Sequence, residues 1–208
     1  MIPQRTQSLN ASTRYSLGIL AGGQGRRWGG RDKGLIIWRG RPLIDHICQA
    51  RPAAAAELLI CCRSNARFYQ HYGDRVLGET QELAGPCAGI VALLAANTAP
   101  SLIVVPVDLI GAPNRVIQLL ETKWRDDDVA LVLHDDEGRH SPCVRLRSEV
   151  KSQCEAYLDC GGNKLVDLFR AVNARSVAVA SEWLTDADEP ESLMSSHGWV
   201  ASRTKKSP

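Results

Sequence analysis

The sequence predicts an α/β protein with a doubly wound, mostly parallel sheet and helices on both faces. Short apolar runs such as Leu102–Val105 alternate along the chain with segments of helical periodicity. These runs are apolar on both faces, which is typical of parallel strands that lie between two layers of helices. Right-handed crossovers between strands then produce the doubly wound arrangement, in which ligands lie outside the carboxyl ends of the strands.

The strands are predicted from short apolar runs that loops and turn residues separate. These runs are Tyr15–Leu20, Leu58–Cys62, Arg75–Leu77, Leu102–Val105, Ala130–Leu133 and Ser176–Ala180. A hairpin tip is predicted at His134–Arg139, where polar residues and a glycine directly follow an apolar strand.

The helices are predicted from apolar stripes and from prolines that suit a first helical turn. Leu43, Ile44 and Ile47 form such a stripe directly after a proline, and Pro86 begins a strongly apolar segment. The paired glycines at 161 and 162 separate the two helices of the second half. The predicted helices are Pro42–Arg51, Asn65–Tyr72, Pro86–Asn97, Asn114–Thr122, Ser148–Leu158, Asn163–Val172 and Pro190–Ser195.

Length and composition indicate one soluble globular domain. The 208 residues suit a single core, which we place at residues 15–200, with a disordered N-terminal tail at 1–14 and a disordered basic tail at 201–208. The net charge of +2 gives no support for binding to nucleic acid or to an anionic membrane. Without an apolar run of about 20 residues or a signal-like N-terminus, the expected location is cytoplasmic.

The cysteines do not indicate a disulfide framework or a zinc site. There are seven of them, an odd number, and no CxxC pair occurs. Most are therefore expected to be buried reduced thiols, which behave as small apolar residues.

A glycine-rich loop with four basic residues follows the first predicted strand. It extends from Ala21 to Gly34 and contains six glycines together with Arg26, Arg27, Arg31 and Lys33. Glycines let a backbone turn tightly and approach a ligand closely, and successive N–H groups in such a turn form an anion-binding concavity. The combination of glycines and cations predicts a triphosphate site.

Two other glycine-rich motifs fit this loop poorly. The spacing of Gly23, Gly25 and Gly29 differs by one residue from the GxGxxG of dinucleotide-binding proteins, which disfavours a NAD-type oxidoreductase. A Walker A loop requires GK[ST], whereas Lys33 follows Asp and precedes Gly. A plain turn would not need so many glycines and cations.

The loop LAGGQGRRWGGRDKGL, residues 20–35, resembles the signature LAGGxGxRMGGxDKGL of the molybdenum cofactor guanylyltransferases. It differs at Trp28, where that family usually has Met. Residues Gly40–Leu43, Gly85–Ile90 and Val105–Asp108 are similar to the family's GxPL, GPLAGI and (P)CD(M/T)P segments, so the resemblance extends from about Tyr15 to Leu193. It implies a Rossmann-like nucleotidyltransferase fold and transfer of GMP from GTP to molybdenum-molybdopterin, with release of pyrophosphate.

The resemblance also implies the roles of individual residues. Arg27, Lys33 and Asp108 are the expected catalytic residues. The residues expected to bind GTP lie in loops at strand ends and are Leu20, Ala21, Gly22, Gly23, Gly25, Lys33, Cys61, Gly78, Glu79, Gly85 and Asp108. Gly85 has two compatible interpretations, a backbone contact with the nucleotide and a tight start of the following helix.

Asp108 stands at the carboxyl end of a buried strand, beside the predicted phosphate loop. From its position alone, it is equally suited to hold Mg²⁺ or to cap the next helix. The resemblance favours Mg²⁺, with Asp188 as a second ligand because it matches the second Asn of the family's NxNTPE segment. Asp186 is the alternative second ligand, and either aspartate could instead cap a helix at Pro190.

Three departures from the family concern the base more than the phosphates. The family has Asn after the second strand where this chain has Cys61–Asn65, and it has Asp where this chain has Gly78 followed by Glu79. Leu109 and Ile110 follow Asp108, where the family has Pro. Two alternatives therefore stay open: a nucleotidyltransferase that uses CTP or another acceptor, and a degenerate binding module without turnover.

The expected partners are small molecules. GTP and molybdopterin are the implied substrates, and neither nucleic acid nor a membrane is expected as a partner. We expect a monomer or weak oligomer that makes at most transient contact with other cofactor-assembly proteins. The hairpin tip at His134–Arg139 is either a solvated turn or a surface that faces the pterin, where Arg139 and His140 would meet its phosphate.

Overall fold

A seven-stranded sheet forms the centre of the computed structural model, which describes residues 14–22, 28–78 and 85–187. Its strands are β1 (Tyr15–Leu20), β4 (Ala55–Cys62), β5 (Arg75–Gly78), β6 (Ser101–Pro106), β7 (Ala130–His134), β8 (His140–Arg147) and β9 (Arg175–Ala178). A separate hairpin consists of β2 (Ile37–Trp38) and β3 (Arg41–Pro42). The basic tail, all but one residue of the N-terminal tail, and the helix predicted at Pro190–Ser195 lie outside the described residues.

The strand order within this sheet is β5-β4-β1-β6-β8-β7-β9. β1 pairs in parallel with β4 and β6, while β8 runs antiparallel to both β6 and β7. The chain extends from β1 in one direction through β4 and β5 and in the other through β6, so the topological switch point lies between β1 and β6. The predicted doubly wound, mostly parallel sheet is confirmed.

Helices cover both faces of the sheet, as predicted. They are α1 (Leu43–Gln49), α2 (Ala66–Tyr69), α3 (Pro86–Ala96), α4 (Pro113–Thr122), α5 (Lys151–Asp159) and α6 (Leu165–Ala171). Ile44 of α1 and Ile117 of α4 share one buried cluster with Leu17, whereas Leu93 of α3 and Phe169 of α6 belong to the cluster on the other face. Each such side chain contributes about 1.5–3 kcal/mol through burial. Within the described ranges, no helix has the length and apolar character needed to cross a membrane.

Several predicted boundaries differ from the structure. The helix expected at Asn65–Tyr72 is only the four-residue α2, because Asn65 has a left-handed φ of 57° and the helix begins after it. The helix expected from Ser148 begins as a separate 3₁₀ turn at Ser148–Val150, after which α5 follows. The β2–β3 hairpin has strands of two residues, which are too short for a periodic pattern.

The hairpin tip predicted at His134–Arg139 is confirmed, since His134 pairs with His140 across it. The sequence did not predict the extent of β8, because charged residues interrupt its apolar pattern. Arg145 of this strand is only 3% exposed. Its guanidinium lies 5.2 Å from the ring of Tyr15 and 4.5 Å from that of Trp124, which compensates for its burial.

Most of the cysteines lie in the core, as the sequence predicts. The buried ones are Cys61, Cys62, Cys87, Cys143 and Cys154. Burial raises the pKa of Cys87 and of Cys154 to about 11, so both remain protonated thiols at neutral pH. They therefore pack as small apolar side chains.

Candidate active site

The carboxyl ends of β1, β4 and β6 lie side by side at one edge of the sheet. Leu20, the last residue of β1, pairs with Cys61 on one side and Pro106 on the other. Backbone hydrogen bonds continue this pairing, because Ala21 N donates to Cys61 O at 2.8 Å and Val107 N donates to Leu20 O at 3.0 Å. The loops that follow these strands are therefore neighbours, as the sequence predicts.

An ion pair joins the loop after β1 to the turn after β6. Lys33 Nζ lies 2.5 Å from Asp108 Oδ2, and the two side chains are 22% and 12% exposed. Lys33 begins the 3₁₀ turn Lys33–Leu35. Partial burial reduces the screening of the two charges by water, so their attraction exceeds that of a typical surface pair. The structure thus brings together two of the three residues that the sequence identifies as catalytic.

Asp108 does not cap the helix that follows it. The N-cap of α4 is Ala112, and no side chain caps that helix. The carboxylate of Asp108 is instead directed at Lys33. The helix-cap alternative for Asp108 is therefore wrong, while its role as a metal ligand stays a prediction.

The segment Thr185–Ala187, which carries a second acidic residue, pairs with the same turn through its backbone. Asp186 forms an isolated antiparallel bridge with the residue after Asp108. Ala187 N also donates to Asp108 O at 2.8 Å. Asp186 thus lies on the backbone segment beside Asp108, although the sequence favours Asp188 as the second metal ligand.

The residues at this edge suit a hard divalent cation. Carboxylate oxygens are the protein ligands that Mg²⁺ prefers, and Asp108 and Asp186 supply them from adjoining segments. Burial, and then the charges of Asp186 and Asp108, raises the pKa of the Cys143 thiol behind them. In the part of the chain that the structure describes, no group of three or more potential metal ligands occurs. A complete cation site would therefore also need phosphate oxygens, water or Asp188.

Trp28, which stands where the resembling family usually has Met, connects the phosphate loop to the Thr185–Ala187 segment. Its indole Nε1 donates to Ala187 O at 3.0 Å. Its ring packs against a small buried cluster that contains Trp38, Ile110 and Ala187. A methionine could fill this space but has no N–H to donate. The substitution therefore adds a direct connection between two parts of the site.

The loop after β4 and the short helix α2 that follows it contact the phosphate loop at Asp32. Asn65 Nδ2 donates to Asp32 Oδ2 at 2.9 Å, and Tyr69 Oη donates to Asp32 Oδ1 at 2.5 Å. The sequence assigns neither residue to this contact. The only signal for it is that polar residues follow directly after a buried strand.

The positions expected near the base are open or turned inward. Gly78 pairs with Cys62 at the strand edge, and a Cβ added to Gly78 would meet no atom within 4 Å. Gly85 has a φ of 117°, which only glycine adopts easily, and α3 begins directly after it. The side chain of Cys61 is completely buried in the core. Gly22, directly after Ala21, is half-buried. The remaining expected site residues lie outside the described residues and are Gly23, Gly25, Arg27, Glu79 and Asp188.

A cavity of about 340 Å³ separates the β7–β8 hairpin tip from the segment that carries Asp186. Residues of both sides line it, among them Arg139, His140, Ser141 and Asp186. Arg139 Nε lies 2.7 Å from Asp135 Oδ2, and Asp135 also accepts the backbone N–H of Arg139. Burial, and then the neighbouring His134, lowers the pKa of His140, so its imidazole is neutral at pH 7. The tip is thus an ordered polar turn beside the cavity.

A switch point at which Lys33 of a glycine-rich loop faces the carboxylate of Asp108 is the arrangement expected of an enzyme that handles nucleoside triphosphates, and the chain is a nucleotidyltransferase. It belongs to the family of MobA-like NTP transferase domains, which matches residues 17–179. Enzymes of this kind typically use a divalent metal.

Curated relatives support this assignment. The chain is 31% identical over 166 residues to the molybdenum cofactor guanylyltransferase of Shewanella halifaxensis, which covers 79% of this chain and 82% of the relative. It is 32% identical over 185 residues to that of Shewanella amazonensis, with 88% and 91% covered. For the enzyme of Pseudomonas aeruginosa the identity is 44% over 108 residues, with 51% and 53% covered.

Solved structures share the fold. Molybdopterin-guanine dinucleotide biosynthesis protein A from Archaeoglobus fulgidus superposes with a TM-score of 0.71 at 19% identity, covering 86% of this chain and 95% of that chain. A CMP:2-keto-3-deoxy-manno-octonic acid synthetase in complex with CTP gives 0.69 at 15% identity, with 88% and 96% covered. At these identities the likeness concerns the fold alone.

We predict that Trp28→Phe loosens the Thr185–Ala187 segment, because it keeps an aromatic ring but removes the indole donor. The free energy of unfolding should fall by about 0.5–1.5 kcal/mol, the usual net value of one hydrogen bond. Hydrogen exchange at the Ala187 amide should become faster, and Trp28→Ala should cost more because packing is also lost. Unchanged exchange at Ala187 in Trp28→Phe would contradict this role.

Proposed function

We propose that this enzyme transfers GMP from GTP to molybdenum-molybdopterin and so forms the guanine dinucleotide cofactor and pyrophosphate. The observation that carries this proposal is the ion pair at the switch point between Asp108 and Lys33, which belongs to the loop that resembles the guanylyltransferase signature. The curated relatives named as molybdenum cofactor guanylyltransferases supply the nucleotide and the acceptor.

The reaction requires positioning and charge neutralisation rather than a protein nucleophile. A phosphate oxygen of the pterin attacks the α-phosphorus of GTP, the new P–O bond forms, and the bond to the β-phosphate breaks in line with it. Pyrophosphate leaves with the electron pair of that bond. We assign the amides of Gly22, Gly23 and Gly25, together with Arg27, to the β- and γ-phosphates.

Lys33 is placed to neutralise the charge that develops at the α-phosphate. Its ammonium lies at the edge where the loop after β1 meets the turn after β6. A preorganised cation in a partly buried site stabilises developing charge without reorganisation of water. Asp108 keeps this ammonium in place through the 2.5 Å contact.

Asp108, with Asp188, is the proposed holder of Mg²⁺. Bound magnesium would neutralise charge on the phosphate oxygens and orient them for in-line attack. Asp108 fits this role because its carboxylate is fixed at the strand end and a second carboxylate, Asp186, lies on the adjoining segment.

The cavity beside the β7–β8 hairpin is the proposed place of the acceptor. Arg139 and His140 line it and are suited to a phosphate of the pterin, because both offer N–H donors. The nucleotide is proposed to lie at the opposite side of the site, surrounded by Leu20, Ala21, Cys61, Gly78, Glu79 and Gly85.

We propose that the enzyme works in the cytoplasm, where nucleoside triphosphates are available as substrates. It is proposed to be a monomer or weak oligomer that makes at most transient contact with other cofactor-assembly proteins.

The choice of nucleotide is tested by incubating the protein and molybdopterin with each of the four triphosphates and Mg²⁺. Pyrophosphate release is expected with GTP, at a rate well above that with CTP, ATP or UTP. Release with CTP alone would replace the guanylyl assignment by a cytidylyl one. A gain in thermal stability with GTP and Mg²⁺, but no release with any triphosphate, would instead indicate a binding module.

Lys33→Ala is expected to lower kcat by about 100- to 1,000-fold, the usual loss when one preorganised electrostatic contact is removed. The fold should survive, since Lys33 is not part of the buried core clusters. Lys151→Ala is a matched control, because Lys151 pairs with Glu155 on the surface of α5. An unchanged kcat in Lys33→Ala would contradict the role of this ammonium.

Asp108→Asn is expected to abolish magnesium-dependent turnover, because an amide oxygen carries no charge to hold the cation. Activity measured over a range of Mg²⁺ concentrations should show no recovery at concentrations that saturate the wild type. Asp127→Asn, on an exposed turn, controls for the loss of one negative charge. Full activity of Asp108→Asn at the wild-type Mg²⁺ requirement would remove Asp108 from the metal site.

A further inference from the structure

Asp32 of the phosphate loop accepts hydrogen bonds from four residues, which join this loop to the segment after β4. Its Oδ1 accepts Tyr69 Oη at 2.5 Å and the backbone N–H of Gly34 at 3.1 Å. Its Oδ2 accepts Asn65 Nδ2 at 2.9 Å and Ser64 Oγ at 3.5 Å. The carboxylate thus accepts one hydrogen bond from Gly34 in its own loop. The other three come from residues that follow β4, namely Ser64, Asn65 and Tyr69.

The turn that carries Lys33 lies directly on Tyr69. A Cβ added to Gly34 would be 2.2 Å from Tyr69 Oη, so glycine is required for this close approach. Tyr69 is completely buried, and burial followed by the hydrogen bond to Asp32 raises its pKa far above the usual range. Its hydroxyl therefore stays protonated at neutral pH and can donate to Asp32.

These contacts fix the backbone on both sides of Lys33. Asp32 before it is held by its side chain, and Gly34 after it is held by its N–H. Lys33 O accepts the N–H of Ile36 at 3.1 Å, which closes the turn. A lysine side chain has four rotatable bonds, so a fixed backbone origin restricts where its ammonium can lie. In this structure that place is beside Asp108.

We propose that Asp32 is a positioning residue that holds Lys33 at Asp108 and couples the loop after β4 to the phosphate loop. Because Lys33 acts on the phosphates in the function proposed above, the inference rests on that function. Asp32 itself acts through Lys33 rather than on the substrate. A residue of this kind should affect the rate of the chemical step more than the binding of GTP.

Asp32→Asn is the principal test. The amide keeps the size of the side chain but replaces one of the two acceptor oxygens by an NH₂ group. That group then faces either the donors of Asn65 and Ser64 or those of Tyr69 and Gly34. We expect kcat for pyrophosphate release to fall by about 10- to 100-fold, the effect of a small misplacement of a catalytic group. The KM for GTP should change by less than about threefold, because the lost interaction is one realised in the transition state.

Two further variants separate positioning from general stability. Tyr69→Phe removes only the hydroxyl that donates to Asp32 and keeps the aromatic ring, so it should lower kcat by about 3- to 10-fold. This variant tests the same contact if Asp32→Asn does not fold. Asp74→Asn is the matched control, because Asp74 also connects two segments, through Arg51 at 2.9 Å and Leu58 N at 2.8 Å, away from the site. It should change kcat by less than about twofold.

The double variant Asp32→Asn/Lys33→Ala decides whether Asp32 acts through Lys33. Its kcat should equal that of Lys33→Ala alone, because residues that act as a unit are not additive. A further loss in the double variant, or a wild-type kcat in Asp32→Asn, would overturn the proposal.

A crystal structure of Asp32→Asn distinguishes this proposal from the proposed function. We expect Lys33 Nζ to lie more than about 4 Å from Asp108, beyond the range of an ion pair. If the ammonium stays on Asp108, the positioning role is wrong whatever the activity. If the wild type releases pyrophosphate from no triphosphate, the proposed function fails, while the position of Lys33 in the variant still decides the role of Asp32.

Discussion

The Lys33–Asp108 ion pair depends on the register in which β1 pairs with its two neighbours. Leu20 lies opposite Cys61 and Pro106 at the same time, so the chain leaves β1 and β6 at the same level. In a strand, a shift by one residue moves every side chain to the other face. The apolar residues of β1 are buried on both sides of the sheet, which makes any other register costly. The core therefore determines where the charged residues of the site meet.

The opposite end of the sheet contains an equally specific polar arrangement with no place in the proposed reaction. Arg145 lies between two aromatic rings and donates to Ser101 Oγ, which is also buried. Burial lowers the pKa of Arg145 to about 10, so the guanidinium stays charged at neutral pH. A buried charge of this kind is weak evidence for stability, since a well-packed apolar group often serves as well. It does explain how an interior antiparallel strand can contain charged residues.

The sequence predicts the parts of this molecule that depend on local pattern. The strands β1, β4 and β6 can be predicted from the sequence because each is mostly buried and therefore consists of a short apolar run. The loop after β1 can be predicted because glycines and cations are concentrated there. β8 cannot be predicted in this way, because Arg145 interrupts its apolar pattern. The burial of this charge is compensated by Tyr15 and Trp124, which are distant in the chain. The contacts of Asp32 with Asn65 and Tyr69 join residues more than 30 positions apart, which no local pattern can indicate.

The fold by itself does not select the base. A synthetase in complex with CTP has nearly the same TM-score as a molybdopterin-guanine dinucleotide biosynthesis protein, so likeness of fold does not distinguish relatives of different function. In this chain the fold brings Lys33 of the glycine-rich loop against Asp108 at one edge of the sheet. The residues expected near the base lie one and two strands out from β1, at Cys61 of β4 and Gly78 of β5. Within the described residues of this edge, the Asn65 amide group donates to Asp32 and to Ser64, and Gly78 has no side chain, so neither residue adds a side-chain donor for a base.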